Sequence, residues 1–345
     1  MSLPTRDLTT RAGRTLSFTA LGFGTAPIGN MRRVMSDAEA EATVESAWDR
    51  GGRYFDTAPL YGHGLAERRT GAVLKHKPRD TFLLSTKVGR LLEPCAPGEE
   101  ASGIYEGVPP FKVRFDYSYD GVMRSYEESL GCLGLDRVDI LYVHDIDVMT
   151  HGTPEAAEAR TRELMDQGGW RALDELRTRG DVAAIGAGVN EWEPCVRLMQ
   201  LADPDVFLLA GRYTLLEQDA LISLLPACVA KGVGVVIGGP FNSGILATGS
   251  RPGAMYNYAA APHDILARTD LIEAVCATHG VRLAQAALQF PLGHPSVVCV
   301  IPGGQSPAEV MENLALLEAP IPDTLWRDLK RAGLMSLDAP APMAA

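Results

Sequence analysis

Four side chains able to carry protons share one kind of placement in this sequence. Asp56 closes the apolar run Tyr54-Phe55-Asp56, Lys87 closes FLLSTK from Phe82, and His144 closes ILYVH from Ile140. Tyr61 follows Asp56 by five residues in FDTAPLYG. Charged groups at the ends of apolar strands are costly unless paired, so Asp56 and Lys87 form the natural ion pair. One such residue would be explained by a buried salt bridge; four converging on one rim point to chemistry. A free tyrosine titrates near pH ~10, too high for a base at neutral pH. A lysine cation beside it is expected to lower that value, with the aspartate orienting the lysine. A neighbouring histidine can hydrogen-bond the reacting oxygen without carrying the proton. That set suits proton transfer to or from an alcohol or carbonyl, coupled to hydride transfer.

The elements that must position these groups alternate strand with helix. After an amino-terminal hairpin, strand-length apolar runs occur at Ala20–Gly24, Tyr54–Ala58, Phe82–Val88 and Ile140–His144. Four more follow at Val182–Val189, Val206–Leu209, Val233–Ile237 and Val297–Ile301. Helical stretches lie between them. The first, Ser36–Arg50, opens on a capping box and stops at Gly51-Gly52, and Glu158–Arg179 reads as a single helix. The stretch Asp264–Leu292 is expected to break at Gly280. Strands that are almost wholly apolar, each followed by a helix, predict a parallel sheet covered on its outer face. An open doubly wound sheet would carry a glycine fingerprint. Gly22-Phe-Gly24 meets Pro27 where the third glycine belongs, and Gly186-Ala-Gly188 meets Glu191. The reading is therefore an α/β fold, a (β/α)8 TIM barrel with an amino-terminal hairpin and long carboxyl-face loops.

Those loops are 91–116, 145–157 and 240–263, all following strands, where barrel active sites form. Pro109, Pro110, Phe111, Phe115 and Tyr117 suit the first to walling an apolar pocket. One barrel domain is expected over 1–345, with its core at about 18–318. An extra helix is expected over 322–335, covering the barrel or packing in a dimer, and a frayed Pro/Ala-rich tail over 336–345.

The chain has 345 residues, 46% hydrophobic and 22% charged, which excludes collagen, mucin and disorder. Its net charge of −11 argues against nucleic acid and anionic lipid surfaces as partners. No run reaches the ~18 apolar residues of a membrane span. No secretory signal or N-x-S/T site occurs, and the six cysteines are scattered without a C-x-x-C pair. A cytoplasmic protein, monomeric or homodimeric, is the expectation. The remaining histidines lack metal-ligand spacing and read as surface or supporting groups, so no metal is expected; His151 lies in a long loop within possible reach of substrate.

The motif FDTAPLYG with downstream Lys87 and VHD resembles the aldo-keto reductases, nicotinamide-dependent barrel oxidoreductases, from about Leu21 to Leu317. The resemblance implies Tyr61 as the proton-transfer residue, Lys87 as its modulator, Asp56 as the partner of Lys87, and His144 as the group orienting substrate. It places Gly24 and Thr25 near the nicotinamide and Asn190, in GAGVNEW, on the carboxamide. GGPFNSGIL, carrying Gly238, Gly239, Pro240, Phe241, Ser243 and Gly244, matches the segment over the pyrophosphate. IPGGQSPAEVMEN, carrying Ile301, Pro302, Gly303, Gly304, Gln305 and Glu309, matches the adenosine-phosphate loop, with Glu312 and Asn313 at adenine-binding positions. Asp56 borders the cofactor as well. Asp145, Phe111 and Trp192 join Tyr61 and His144 as candidate substrate contacts.

The departures from the family pattern carry information. The sixth-strand glutamine is Ala210 here, and the tyrosine that stacks on nicotinamide is Gly238, a role open to Phe241 or Trp192. Gly303 and Glu309 stand where relatives preferring NADP carry a polar or cationic group and an arginine. Losing cations and gaining a carboxylate disfavours a 2′-phosphate, so NAD is expected over NADP. VHDIDVMTHG, GAGVNEW, FLLAGRYTLLEQ and GGPFNSGILATG resemble the branch of D-threo-aldose 1-dehydrogenases (L-fucose and L-galactose dehydrogenases) and pyridoxal 4-dehydrogenases. That branch implies oxidation of a cyclic hemiacetal, a sugar of the L-fucose type or pyridoxal, to a lactone. An NADPH-dependent aldehyde reductase and a non-catalytic redox-sensing subunit are the alternatives.

Overall fold

Eight apolar segments pair in parallel in the computed structural model, which describes residues 3–342. We label them β1 (Phe23–Gly24), β2 (Tyr54–Asp56), β3 (Leu83–Val88), β4 (Ile140–His144), β5 (Ala184–Val189), β6 (Val206–Ala210), β7 (Gly234–Gly238) and β8 (Val297–Ile301). Each pairs with the next in chain order. Parallel bridges from Leu21 to Val300 and from Gly24 to Gly303 join β1 to β8 and close the barrel. The strands are almost entirely buried because helices cover them outside and side chains fill the inside.

The hairpin Thr5–Thr9 with Thr15–Thr19 plugs the amino-terminal mouth. Its Leu8, Leu16 and Phe18 join Ile140, Ala184, Val206 and Val236 in one apolar cluster. The first barrel helix, Asp37–Asp49, begins as its sequence requires. Ser36 Oγ accepts from the Glu39 amide at 3.2 Å, and Glu39 Oε2 accepts from the Ser36 amide at 2.8 Å. The helical pair Asp264–Leu292 breaks around Gly280, giving His263–Thr278 and Leu283–Gln289.

Three expectations need correction. The stretch Glu158–Arg179 is two helices, Pro154–Asp166 and Gly169–Arg179, divided at Gly168. A Cβ on Gly169 would lie 1.9 Å from the Tyr117 carbonyl, so the second helix needs glycine to approach that chain. The segment 91–116 is no plain loop: Arg90–Pro94 and Phe111–Phe115 form an antiparallel hairpin. The tail after the helix Asp323–Arg331 is packed through residue 342. Leu334, Met335 and Ala339 are buried, and Gly293 leaves the room that Pro340 and Pro342 occupy. Residues 343–345 of the expected tail lie outside the described residues. Among the described residues, no helix is long and apolar enough to cross a membrane.

Candidate active site

The strand ends bring the four side chains to one rim. Asp56 pairs in register with Ser85, Lys87 with Tyr142 and His144 with Gly188, so the three residues fall near the carboxyl ends of neighbouring strands. Lys87 Nζ donates to Asp56 Oδ2 at 2.6 Å and to the Thr57 carbonyl at 2.9 Å, with both side chains of the pair buried. Asp56 Oδ1 accepts from Ser85 Oγ at 2.7 Å. Because that hydroxyl proton is committed, Tyr54 must donate to Ser85 Oγ (2.9 Å) and accept from Tyr142 (3.1 Å). Burial pushes the Asp56 carboxyl up, while Lys87 and Ser85 pull it back. Gly188 makes room for the lysine stem: a Cβ there would lie 3.2 Å from Lys87 Cε.

Tyr61 sits on a turn held by glycines. Gly62 has φ +64°, and a Cβ on it would lie 2.2 Å from the Gly29 carbonyl oxygen. The Lys87 ammonium stands 4.5 Å from the centroid of the Tyr61 ring, and the His144 ring packs edge-on at 5.8 Å. The expected lowering of the tyrosine by the lysine does not prevail here. Burial, joined by the charges of Asp56 and Asp145, pushes the Tyr61 phenol well above its ordinary value. Burial and the cations Arg90 and Lys87 hold His144 well below its ordinary value, so its imidazole is neutral. One nitrogen, Nε2, lies 3.3 Å from Asp145 Oδ2; the other, Nδ1, is buried without a partner. A neutral imidazole carries one N–H; on Nε2, whose approach to Asp145 makes no hydrogen bond, it is free to donate to a ligand oxygen.

Asp145 adopts the left-handed region at φ +51°. Tyr117 pins it by donating to the carbonyls of His144 and Asp145 at 2.7 and 3.1 Å. The Asp145 carboxylate takes Asn190 Nδ2 at 2.9 Å and pairs with Arg90. Burial nevertheless pushes it up to about 7.

Two cavities meet at Tyr61, Asn190, Ala210 and Tyr258. One, of about 510 Å³, is a cleft. It is lined by Gly24, Asp56, Asn190, Gly238, Gly239, Pro240, Phe241, Ser243 and Gly244, and further on by Ile301, Gly303, Gly304, Gln305 and Glu309. The other, of about 450 Å³, holds Lys87, His144, Asp145, Arg90, Tyr105, Phe115 and Thr150. Thr25 is buried beside the cleft with its hydroxyl unpartnered. Pro302 and Asn313 line a separate small cavity with Arg50, and Glu312 pairs with Arg282 on the surface.

Two candidate substrate contacts lie elsewhere. Trp192 starts the helix Glu193–Leu201 and packs against the core, outside both cavities, so it cannot stand in for a stacking tyrosine there. Phe111 sits four residues before Phe115 on the hairpin, about 13 Å away at strand rise, and only the Phe115 end reaches the pocket. His151 turns to the Asp145 carbonyl at 2.9 Å behind Phe115, and His63 and His294 are buried rather than surface groups. Sequence reasoning missed Arg90, Tyr105 and Tyr258. Arg90 carried a signal: it follows Lys87 by three residues, just past Gly89. Among the described residues, no cluster of His, Cys, Asp and Glu could hold a metal ion.

Known proteins resemble this chain in sequence and fold. The chain is 44% identical over 335 residues to pyridoxal 4-dehydrogenase of Microbacterium luteolum, covering 94% of this chain and 97% of that one. It is 40% identical to D-threo-aldose 1-dehydrogenase of a Pseudomonas species, covering 93% and 95% respectively. The solved aldo-keto reductase AKR11C1 from Bacillus halodurans (holo form) shares the fold at a TM-score of 0.72 and 23% identity, covering 95% of this chain and 96% of that chain. Residues 20–333 match the aldo/keto reductase family, and the chain belongs to it.

Proposed function

We propose that this protein oxidises the anomeric hydroxyl of a cyclic hemiacetal sugar, of the L-fucose or D-threo-aldose type, to a lactone, using NAD. The observation that carries the reading is the meeting of the two cavities at Tyr61, with Lys87 and His144 beside it. The cleft residues fit a dinucleotide: its wall at Ala210 and Gly238 is bare of large side chains, and the Thr25 hydroxyl has no protein partner. When bound there, NAD would supply the hydride acceptor. Asn190 would hold the carboxamide, and the 238–244 and 301–305 segments would hold the phosphates and adenosine.

In the oxidation, Tyr61 as phenolate takes the hydroxyl proton while the hydride leaves the same carbon, and the C–O bond becomes the lactone carbonyl. Neutral His144 donates to the reacting oxygen and fixes its position. Lys87, held by Asp56, favours the phenolate by its charge.

NAD rather than NADP is supported by the adenosine loop. A Cβ on Gly303 would lie 2.5 Å from Pro27 Cγ, so no side chain fits there without displacement. Glu309 Oε2 accepts from the Gln305 amide at 2.9 Å and presents negative charge to the cleft. Arg33 reaches the same loop, but Gln305 O at 3.0 Å and Glu39 at 3.6 Å engage its guanidinium.

Pyridoxal is the second reading. It is favoured by the 44% relative and by the aromatic walls Tyr105, Phe115 and Tyr258. Absorbance of reduced cofactor, followed across L-fucose, L-galactose, D-arabinose and pyridoxal with NAD and NADP, separates the readings. L-fucose turned over fastest with NAD supports the first. Faster turnover with NADP overturns the cofactor assignment, and no turnover of any of the four overturns hemiacetal oxidation.

A further inference from the structure

Arg90 is partly buried in the wall of the substrate cavity, and its surroundings engage only part of its guanidinium. The chain turns at Gly89 (φ +100°), where a Cβ would lie 2.2 Å from the Tyr117 ring, and so brings Arg90 back over the pocket. Its side chain is 11% exposed. Nη2 donates to Asp145 Oδ2 and lies 3.5 Å from Thr150 Oγ1, and Phe115 packs 5.1 Å from the guanidinium carbon. Nε is buried without a partner.

The oxygen of Asp145 that takes Arg90 also lies 3.3 Å from His144 Nε2. Guanidinium and imidazole are therefore neighbours across one oxygen atom. If the imidazole serves the reacting oxygen, the guanidinium faces the next substituent along the ligand. Arginine only donates, so that substituent must accept. A counter-ion for Asp145 would need only one edge of the guanidinium. Nη1 makes no hydrogen bond within the protein and, unlike Nε, is not sealed off, so it is the donor left for a ligand in the cavity.

We infer that Arg90 is a specificity-determining residue that donates to an oxygen beside the reacting carbon, with Asp145 as the positioning residue that aims it. In an aldose hemiacetal this is the hydroxyl on the carbon next to the anomeric one; in pyridoxal it is the ring oxygen substituent flanking the reacting carbon. The inference rests on the hemiacetal reading above.

The test pairs L-fucose with its 2-deoxy analogue and pyridoxal with its 3-deoxy analogue. Each pair is given to the wild type, Arg90→Gln and Arg90→Lys with NAD. The wild type is expected to favour the oxygenated member on the order of 10- to 100-fold in kcat/KM. Arg90→Gln should erase that preference, lowering the oxygenated member on the order of 10-fold or more beyond any loss on the deoxy member, and Arg90→Lys should restore part of it. The pair that shows the effect identifies the source of the oxygen. Equal losses on both members would mean that Arg90 only supports Asp145 and would overturn the inference. If the wild type oxidises no hemiacetal, the reading beneath it fails, and reduction of glyceraldehyde against propanal takes over. The same collapse of preference there sustains Arg90 alone, and no difference or no turnover overturns it. Should Arg90→Gln not fold, Arg90→Lys decides: an unchanged preference with a lysine that cannot reproduce the fork overturns the inference.

Discussion

Lys87 stands over the ring of Tyr61, its ammonium 4.5 Å from the centroid, while its hydrogen bonds go to Asp56 and Thr57. Its charge acts on the phenol through space, and burial works against it. The raised phenol is protonated at neutral pH. Oxidation that needs the phenolate should therefore gain in kcat/KM steadily as pH rises from about 7 to 10, without an earlier plateau. Reduction, which needs the phenol, should be flat over that range. Tyr61→Phe should lose about 10²- to 10⁴-fold in both directions with an unchanged unfolding curve. A plateau in oxidation below neutral pH would show that the lysine wins after all.

The Asp56–Lys87 pair is buried on both sides, so removing one partner strands the other. Lys87→Met or Asp56→Ala should destabilise the fold by about 3–5 kcal/mol in denaturant unfolding. Asp56→Asn, which keeps the shape, should cost less stability and still depress oxidation, because the lysine loses its fixed orientation. Wild-type stability in Lys87→Met would mean that Asp56 takes up a proton and hides the loss.

The barrel and the rim were legible because their signals are local. Asp56, Lys87 and His144 each lie at the end of an apolar strand, and Gly303 and Glu309 sit in the loop and first turn that open a helix. Tyr105 and Tyr258 were not legible, and Arg90 was marked only by its closeness to Lys87 past Gly89. Arg90 and Phe115 become neighbours through a hairpin whose strands are separated by sixteen residues, Cys95 to Pro110, with no tight-turn signature to set the register. Trp192 illustrates the opposite error: an aromatic two residues past Asn190 reads as a pocket residue, but it begins a helix there and packs on the core. The Pro/Ala tail misled for a related reason, since close packing of small residues against Gly293 has no periodicity to read.

His294 is buried, with Nδ1 2.9 Å from Ser296 Oγ, and burial pushes it down to about 4. The unfolded chain takes up a proton near pH ~6.5 while the native state does not. Stability is thus greatest above that pH and falls as pH drops toward 4. After screening, the loss should be on the order of 1–2 kcal/mol. His294→Gln should flatten the pH 4–6.5 slope in denaturant midpoints; an identical slope would assign it to other groups.

Glu309 is the one carboxylate that the adenosine loop turns toward the cleft. Its bond to the Gln305 amide also helps to close the first turn of the helix Pro307–Glu318, alongside the Ser306 cap. Glu309→Arg should therefore do two separable things. Losing the carboxylate's bond to Gln305 should cost about 1 kcal/mol in unfolding free energy. Exchanging negative for positive charge at an exposed position should raise the NADP-to-NAD ratio of binding constants on the order of 10-fold. Titration of protein fluorescence with each reduced cofactor reads the binding directly. Glu309→Gln supplies the control, since it removes charge without adding a clamp and should move the ratio by less than the arginine does. A ratio unchanged in both variants would place the 2′ position of the adenosine ribose out of reach of residue 309 and remove the charge argument for NAD.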